Sequence, residues 1–443
     1  MSDIVVMDTA QPSDSLKSLA IEILLDIDGT VILLPAHEYL RSLAIKDNVT
    51  EKGKQAAGWT GTMELYAPIG APLEPLLLSA NKNRGIAIRW SWNDYGGDVL
   101  SKAPLYQAAI VKYSPKYDRN GVSITFDLIH KELMSSLFWS ARSGIKRSWR
   151  ANSNPSRIVK FIAEKVLKVE HEIQEARKLV PVPVVMPHWD NYIRFIQKEL
   201  LPKASSKENN GEAFQFYFDK LNVLHFHQPS YKQAQNRLIK IYGVDSHSAG
   251  EVISFAVSED MFDTYFRGGL ADDFEAVSSL LGLEGDVSYI VENEIKTAQI
   301  YNQSIRSFYL GTRSQIELEL LGEFIHNYLQ ERVVTADLEV LGNHDHSRND
   351  IVKVDKRNGD GSQHFYSGYY RVNAIEHAIT GGSWITTLTL LRVSLVGDEG
   401  KPDGQAESKE WNPQIPKHGY TSYGSAYLDQ WEQRKYYADR NAE

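Results

Sequence analysis

Apolar and polar positions alternate with period two from the first legible segment. Ile21, Ile23, Leu25 and Ile27 are separated by Glu22, Leu24 and Asp26, and Thr30-Val-Ile-Leu-Leu34 returns after Asp28-Gly29, a pair suited to a two-residue type I′ turn. This predicts a hairpin over 19–34. Trp59–Tyr66, Gly85–Trp92, Leu105–Tyr113 and Val122–Ile129 read as further short strands, each bounded by Gly, Pro, Asn or Asp. Their spacing suits a small antiparallel barrel or sandwich. A first β domain is therefore expected over 16–135, after a flexible, polar start at 1–15.

The period changes near Pro155. Asn154 has the character of an N-cap with Pro155 at the first helical position, and Ile158, Phe161, Ile162 and Val166 share one helix face. Val180-Pro-Val-Pro-Val-Val-Met-Pro187 stops any helix, His188–Lys203 reads as helical, and Ala213–Leu224 as a hairpin turning at Asp219-Lys-Leu-Asn222. A mixed α/β region over 136–332 takes in Phe274–Leu281 and an amphipathic helix carrying Leu321, Phe324, Ile325, Tyr328 and Leu329. Helices are expected only in this middle part. Strands return at Ala336–Leu341, Asp350–Val354, Gly368–Ile379 and Ser383–Leu395, the last two joined by Thr380-Gly381-Gly382, which makes 333–396 a second β domain. Leu105–Tyr113 with Val122–Leu128 parallels Tyr369–His377 with Trp384–Leu390 in pattern, so the two β regions read as copies.

Composition narrows the chemistry. The 443 residues carry 48 Lys and Arg against 57 Asp and Glu, a net charge of −9, so no global basic field is available to hold a nucleic-acid backbone. The chain has no cysteine, which removes disulfides, thiolate metal sites and cysteine nucleophiles. No apolar run approaches the roughly 18–20 residues of a membrane span, and the start lacks the pattern of a signal peptide; the expectation is a soluble protein made in the cytosol. Tyr, Trp and Phe (23, 9 and 15) suit strands and half-wet interfaces. The segment 397–443, rich in Gly, Pro and charge yet holding Trp411, Trp431 and several tyrosines, is expected to order against a partner.

Four local motifs invite chemistry. Ile23-Leu-Leu-Asp26-Ile-Asp28-Gly29-Thr30 resembles the first motif of the haloacid-dehalogenase phosphatases, in which Asp26 would be the nucleophile and Asp28 the acid/base beside magnesium; a hairpin turn explains the same residues. Asp272-Asp273 could supply the acidic metal motif, or cap a following helix. Gly342-Asn343-His344-Asp345 resembles a calcineurin-like phosphoesterase signature without its companion motifs, and reads more plainly as a strand-to-strand loop. His225 and His227 flank Phe226 on one strand face and could share a metal with His171, His188 or Asp190, or could be packed strand histidines. The cluster Lys146, Arg147, Arg150 and Arg157 beside Trp149 could meet an acidic partner or form a solvated face. No catalytic, cofactor-binding or metal residue is assigned.

The order of parts resembles the central tail-hub (baseplate hub) proteins of tailed bacteriophages, the late-control D-like group related to the N-terminal region of type VI secretion spikes. The resemblance rests on Ala336-Asp-Leu-Glu-Val-Leu-Gly342, Asn349-Asp350-Ile-Val-Lys-Val354, Gly368-Tyr-Tyr-Arg-Val372, Ile375-Glu-His377, Gly381-Gly382 and Thr386–Arg392. In the first half it rests on Glu74-Pro-Leu-Leu77, Ile86-Ala-Ile-Arg-Trp90, Leu105-Tyr106, Tyr113-Ser-Pro115 and Gly121-Val-Ser-Ile-Thr125. It implies an α+β chain with two tail-tube-like antiparallel β-barrel domains around a mixed α/β insert. It also implies a non-enzymatic structural role in the virion: a homotrimer, assembled in the host cytoplasm, that adapts a sixfold tail tube to a threefold spike and forms part of the DNA conduit. Implied partners are further copies of the chain, a tube or distal tail protein, a spike protein, and baseplate wedge and tape-measure proteins, with DNA only in transit. No oligosaccharide-binding barrel, β-helix, lysozyme-like or peptidase segment is recognised, so a spike is expected on another chain and no cell-wall digestion is expected. The alternatives are the phosphatase using Asp26 and Asp28, and a sugar- or receptor-binding module suggested only by the aromatic content.

Overall fold

The computed structural model of the chain describes residues 5–6, 19–27, 30–47, 58–70, 84–92, 100–133, 147–176, 179–180, 183–186, 191–204, 214–229, 240–244, 251–259, 273–278, 288–290, 305–310, 334–359, 361, 364 and 366–395. Its first part holds β1 Val5–Val6, β2 Leu19–Ile27, β3 Thr30–Leu34, β4 Leu40–Asp47, β5 Trp59–Pro68, β6 Arg84–Trp92, β7 Tyr106–Tyr117 and β8 Gly121–His130. The middle holds β9 Ser148–Trp149, β10 His171–Ile173, β11 Val184–Val185, β12 Gln215–Phe218, β13 Leu224–His227, β14 Lys240–Gly243, β15 Val252–Glu259, β16 Asp273–Ser278, β17 Ser288–Ile290 and β18 Ile305–Leu310. The last part holds β19 Val334–Leu341, β20 Ile351–Asp355, β21 Gly368–Thr380 and β22 Ser383–Leu395.

The structure is mostly antiparallel sheet with few helices, and the strands read from alternation in the first and last parts lie close to their places, while β14 and β15 were not read from the sequence. Ile27 pairs with Thr30, so β2 and β3 form the expected hairpin. Asp28 and Gly29 themselves lie outside the described residues, as do the amphipathic segment at 321–329, the linker residues 181–182 and 187, and the extension 397–443. Within the segment read as flexible, Val5–Val6 runs parallel to Ile32–Leu33.

In the middle part Asn154 caps the helix Pro155–Phe161 by accepting from the Ser156 amide at 2.9 Å, and the helix continues as a π turn over Ile162–Leu167. Asn191 does the same for the Arg194 amide at 2.8 Å, starting a helical run that continues to Ala204. Helices are not confined to this part, however: Ala36–Tyr39 makes one turn closed by the Pro35 carbonyl, and it swings the chain from β3 into β4, a strand the sequence reading passed over. A second departure is at Asp273, where a strand begins instead of a helix; Asp-Phe-Glu-Ala-Val-Ser alternates, and β16 pairs with β17 on one side and β18 on the other.

One sheet of 14 strands runs through both β regions in the order β1-β3-β2-β6-β7-β8-β5-β4-β21-β22-β19-β15, with β20 on β21 and β14 on β20. Two separate barrels were expected, yet β4 gives one edge to β5 and the other to β21, welding the regions together. No sheet closes on itself among the described residues. Three cores lie against this frame: one inside β2–β8, one in the helical middle part, and one inside β19–β22 with Tyr242.

The pairing registers of the two β regions coincide. From Tyr117↔Val122, β7 and β8 pair through Lys112↔Asp127, skip Val111, and resume at Ile110↔Leu128. From Ile379↔Trp384, β21 and β22 pair through Ala374↔Thr389, skip Asn373, and resume at Val372↔Leu390. Counted from those two pairs the bulge falls at the same place, and β21–β22 carries one further pair, Thr380↔Ser383, at its turn. Gly85↔Ala109 through Ile88↔Tyr106 corresponds to Ile351↔Arg371 through Val354↔Gly368. Thr60↔Ile129 corresponds likewise to Thr335↔Leu391. Even the outer strands agree: β4 on β5 skips one residue between Leu40 and Ser42, and β15 on β19 skips one between Val252 and Ser254. Since a one-residue slip turns every side chain to the other face, shared registers and shared bulges identify a repeated unit far better than shared strand count.

Candidate functional site

The chemistry-bearing side chains gather where the repeated units and the middle part meet. Asp47, at the end of β4, lies 3.2 Å from Arg348 Nη2, and the Arg348 guanidinium stacks over Tyr217 at 4.5 Å. Tyr217 in turn stacks on His225, 4.7 Å between rings. His225 sits between two carboxylates, with Nδ1 3.1 Å from Glu172 and Nε2 3.1 Å from Asp219. Lys220 donates to the carbonyls of His344 and His346, at 2.6 and 3.1 Å, and Asn349 donates to Gln215 at 2.8 Å. Burial opposes ionisation of Asp219, but the hydrogen bond from His225 and the amides of Val223 and Leu221 hold its carboxyl below the ordinary value. At Asp47 burial wins over Arg348 and the pKa is raised.

A second, aromatic junction lies beside it. Trp90 stacks on Tyr106 at 4.7 Å, and His344 lies 5.0 Å from Trp90, 4.7 Å from Trp384 and 5.2 Å from His377. His344 Nε2 is 2.8 Å from the Trp90 carbonyl, and Trp92 Nε1 donates to the Gly342 carbonyl at 2.7 Å. Burial lowers the pKa of His344 and of His346 to about 4, and that of His377 well below its usual value, so all three rings are neutral at pH 7. His346 also bonds the Tyr242 hydroxyl. The Gly-Asn-His-Asp run is thus a clasp between the two units, and its histidine is enclosed by rings.

The other motifs resolve similarly. Asp26 lies on β2, which is antiparallel to both β3 and β6, so it does not end a parallel strand before a helix as the phosphatase loop requires. The phosphatase alternative has no support. His225 and His227 do share a face, 5.4 Å between rings, but His225 is engaged by carboxylates and His227 Nδ1 lies 2.8 Å from the Gln228 carbonyl. His188, Asp190, Asp272 and Lys146 lie outside the described residues, and no three metal-ligating side chains converge among the described ones. Trp149, read as the aromatic partner of a basic surface, is buried and stacks on Phe195 at 5.6 Å, while Arg157 pairs with Glu175 at 2.8 Å. Sequence reasoning missed Asp47, Tyr217 and Arg348; Arg348 lies in the loop before β20, 301 residues from Asp47, and no local pattern joins them.

No helix among the described residues is long and apolar enough to cross a membrane. No family model matches the sequence, and no curated protein matches it. Solved structures do. The 43 kDa tail protein of prophage MuSo2 from Shewanella oneidensis superposes with a TM-score of 0.56 at 11% identity, over 84% of this chain and 98% of that one. The tail protein from Neisseria meningitidis MC58 gives 0.52 at 8% identity, over 84% and 96%. Each match covers 84% of this chain, so the chain has the fold of phage tail proteins, as its resemblance to the tail-hub family implied.

Proposed function

We propose that this chain is a structural tail hub of a bacteriophage: a homotrimer whose two tube-type barrel units per chain present six similar positions to a sixfold tube and three to a spike. The observation that carries this reading is the coincidence of pairing registers between the units, bulges included. A chain that contains the same strand arrangement twice offers two near-equivalent surfaces, and a closed ring of three such chains matches a sixfold partner without a second gene product. The tail-protein fold supports the same reading. In this role the units at 16–135 and 333–396, the second completed by β14 and β15, form the ring, and the rest of the middle part at 136–332 spaces them or holds other baseplate proteins. The extension 397–443 docks a spike or wedge protein, and the net charge of −9 suits a conduit that DNA passes without sticking. The role is architectural, in the virion, with no chemical step.

The test is the mass in solution. Native mass spectrometry or light scattering of the full chain at micromolar concentration and neutral pH is expected to give three times the chain mass. A monomer at that concentration would sink the hub.

A further inference from the structure

Asn-Gly occurs three times in the chain, as Asn120-Gly121, Asn210-Gly211 and Asn358-Gly359. The pair is prone to spontaneous chemistry, because glycine has no side chain to hinder its own amide nitrogen from reaching the asparagine side-chain carbon. Asn210-Gly211 lies outside the described residues. The other two sit in strand connections, one in each unit, and the fold treats them oppositely.

Asn120-Gly121 is pinned. Its two amides donate to Oδ1 of Asp118, at 2.7 and 2.8 Å, the Ile69 amide donates to the Asn120 carbonyl at 3.1 Å, and the Asp118 amide to the Gly121 carbonyl at 3.0 Å. Gly121 is buried at the start of β8 opposite Pro68, and a Cβ placed on it would stand 2.3 Å from the Ala67 carbonyl oxygen. The main chain is thus crowded there, and the nitrogen that has to attack is held in a charge-assisted bond.

Asn358-Gly359 is open. Both residues are exposed in the loop between β20 and β21. The Gly361 amide donates to the Asn358 carbonyl at 2.9 Å and shapes the turn, while among the described residues the Gly359 amide donates to nothing. Apart from its chain neighbours, no atom lies within 4 Å of a Cβ placed on Gly359. Below the tip the loop is fastened: the Lys356 amide donates to Ser367 Oγ at 3.0 Å, and the His364 amide to the Lys356 carbonyl at 2.8 Å. A change at the tip therefore leaves β20 paired with β21.

We propose that Asn358 is a site of spontaneous deamidation in the folded protein and that Asn120 is protected from it. The Gly359 amide loses its proton to hydroxide, and its nitrogen attacks Cγ of Asn358. A C–N bond forms, the Cγ–Nδ2 bond breaks, and ammonia leaves with a proton from water. A second water then opens the five-membered imide at either carbonyl, giving aspartate or isoaspartate. In net terms one water enters and one ammonia departs, with no oxidant and no cofactor. The product carries one more negative charge next to Lys356 and Arg357, and in the isoaspartate form the main chain runs through Cβ. Exposed loop tips tolerate such change, so the modification marks the age of a chain without unfolding it. The inference is independent of the hub reading.

The test uses the full chain, incubated at 37 °C and pH 8.5, then digested and mapped by mass spectrometry, with isoaspartyl methyltransferase reporting the isoaspartate form. Asn358 is expected to convert over days, and Asn120 at least about tenfold more slowly, because the Gly121 amide must first leave its bond by local opening. In guanidinium chloride, which removes the fold, the two rates are expected to converge. Asn358→Gln is expected to abolish the signal at that position, and the aged chain to keep the urea midpoint of the fresh one. Equal rates in the folded chain, or an Asn358 that stays intact while the unfolded chain converts, overturn the proposal. A difference that persists in guanidinium chloride overturns it too, since the cause then lies in the flanking sequence. A lowered midpoint in the aged chain overturns the uncoupling of the loop tip.

Discussion

Gly342 shows how one residue can be required by a partner far away in sequence. A Cβ built there would lie 2.1–2.6 Å from ring atoms of Trp384, so only a hydrogen in that place lets the clasp loop close over the indole. Gly342→Ala is expected to destabilise the chain by about 1–3 kcal/mol, the usual cost of forcing extra volume into a packed site, read as a lower urea midpoint. An unchanged midpoint would mean that the Trp384 ring moves aside freely. The sequence displays the Gly-Asn-His-Asp run plainly but is silent on its meaning. The reading as a metal signature came from residue types alone, whereas the actual neighbours of His344 are Trp90, His377 and Trp384.

At the scale of elements, β4 does the most and was the least visible. Leu43 and Ile45 alternate with Ser42, Ala44 and Lys46, so the period is present; it is brief, and it follows the single helical turn at Ala36–Tyr39 with no turn residue between them. Ala44 lies opposite Thr62 of β5 on one side and Ala378 of β21 on the other. Ala44→Pro removes a ladder donor from a strand bonded on both edges and leaves an acceptor unmatched. A loss of at least about 2 kcal/mol is expected by chemical denaturation, and a variant as stable as the parent would show that the β4 ladder carries little of the joint. Other elements were legible because their signals are local. The Asn154 cap, the Asp219–Asn222 turn and the Gly381-Gly382 turn, both glycines at positive φ, each depend on residues a few positions apart.

For the whole molecule, the joints carry the titratable groups. His130 stacks on Phe218 between the first unit and the middle part, and its pKa, like those of His344 and His346, is lowered to about 4 by burial; His377 is lowered well below its usual value by the same cause. An unfolded chain titrates these rings near about 6.5. Between those values the unfolded state binds protons that the folded state refuses, so stability is present above pH 6.5 and is lost as pH falls toward 4. Each histidine contributes a slope of about 1.4 kcal/mol per pH unit in that window. Asp47, raised by burial, works in the opposite direction. Urea midpoints measured at pH 7, 6 and 5 are expected to fall in order, and a flat series would show the rings to be solvated.

By itself the sequence determined many of the strand positions in the first and last parts, hairpin turns, the helix cap and the presence of two similar β regions, because alternation and turn chemistry are properties of neighbouring residues. Only the tertiary structure decided that the two regions share a continuous sheet through β4, that their registers agree to the bulge, and that Asp47, Tyr217, His225 and Arg348 meet. Those outcomes depend on which edges and side chains lie opposite one another across long gaps in the chain, 301 residues between Asp47 and Arg348. Local pattern says which face of a strand is apolar, and only the packed chain says which strand lies beside it.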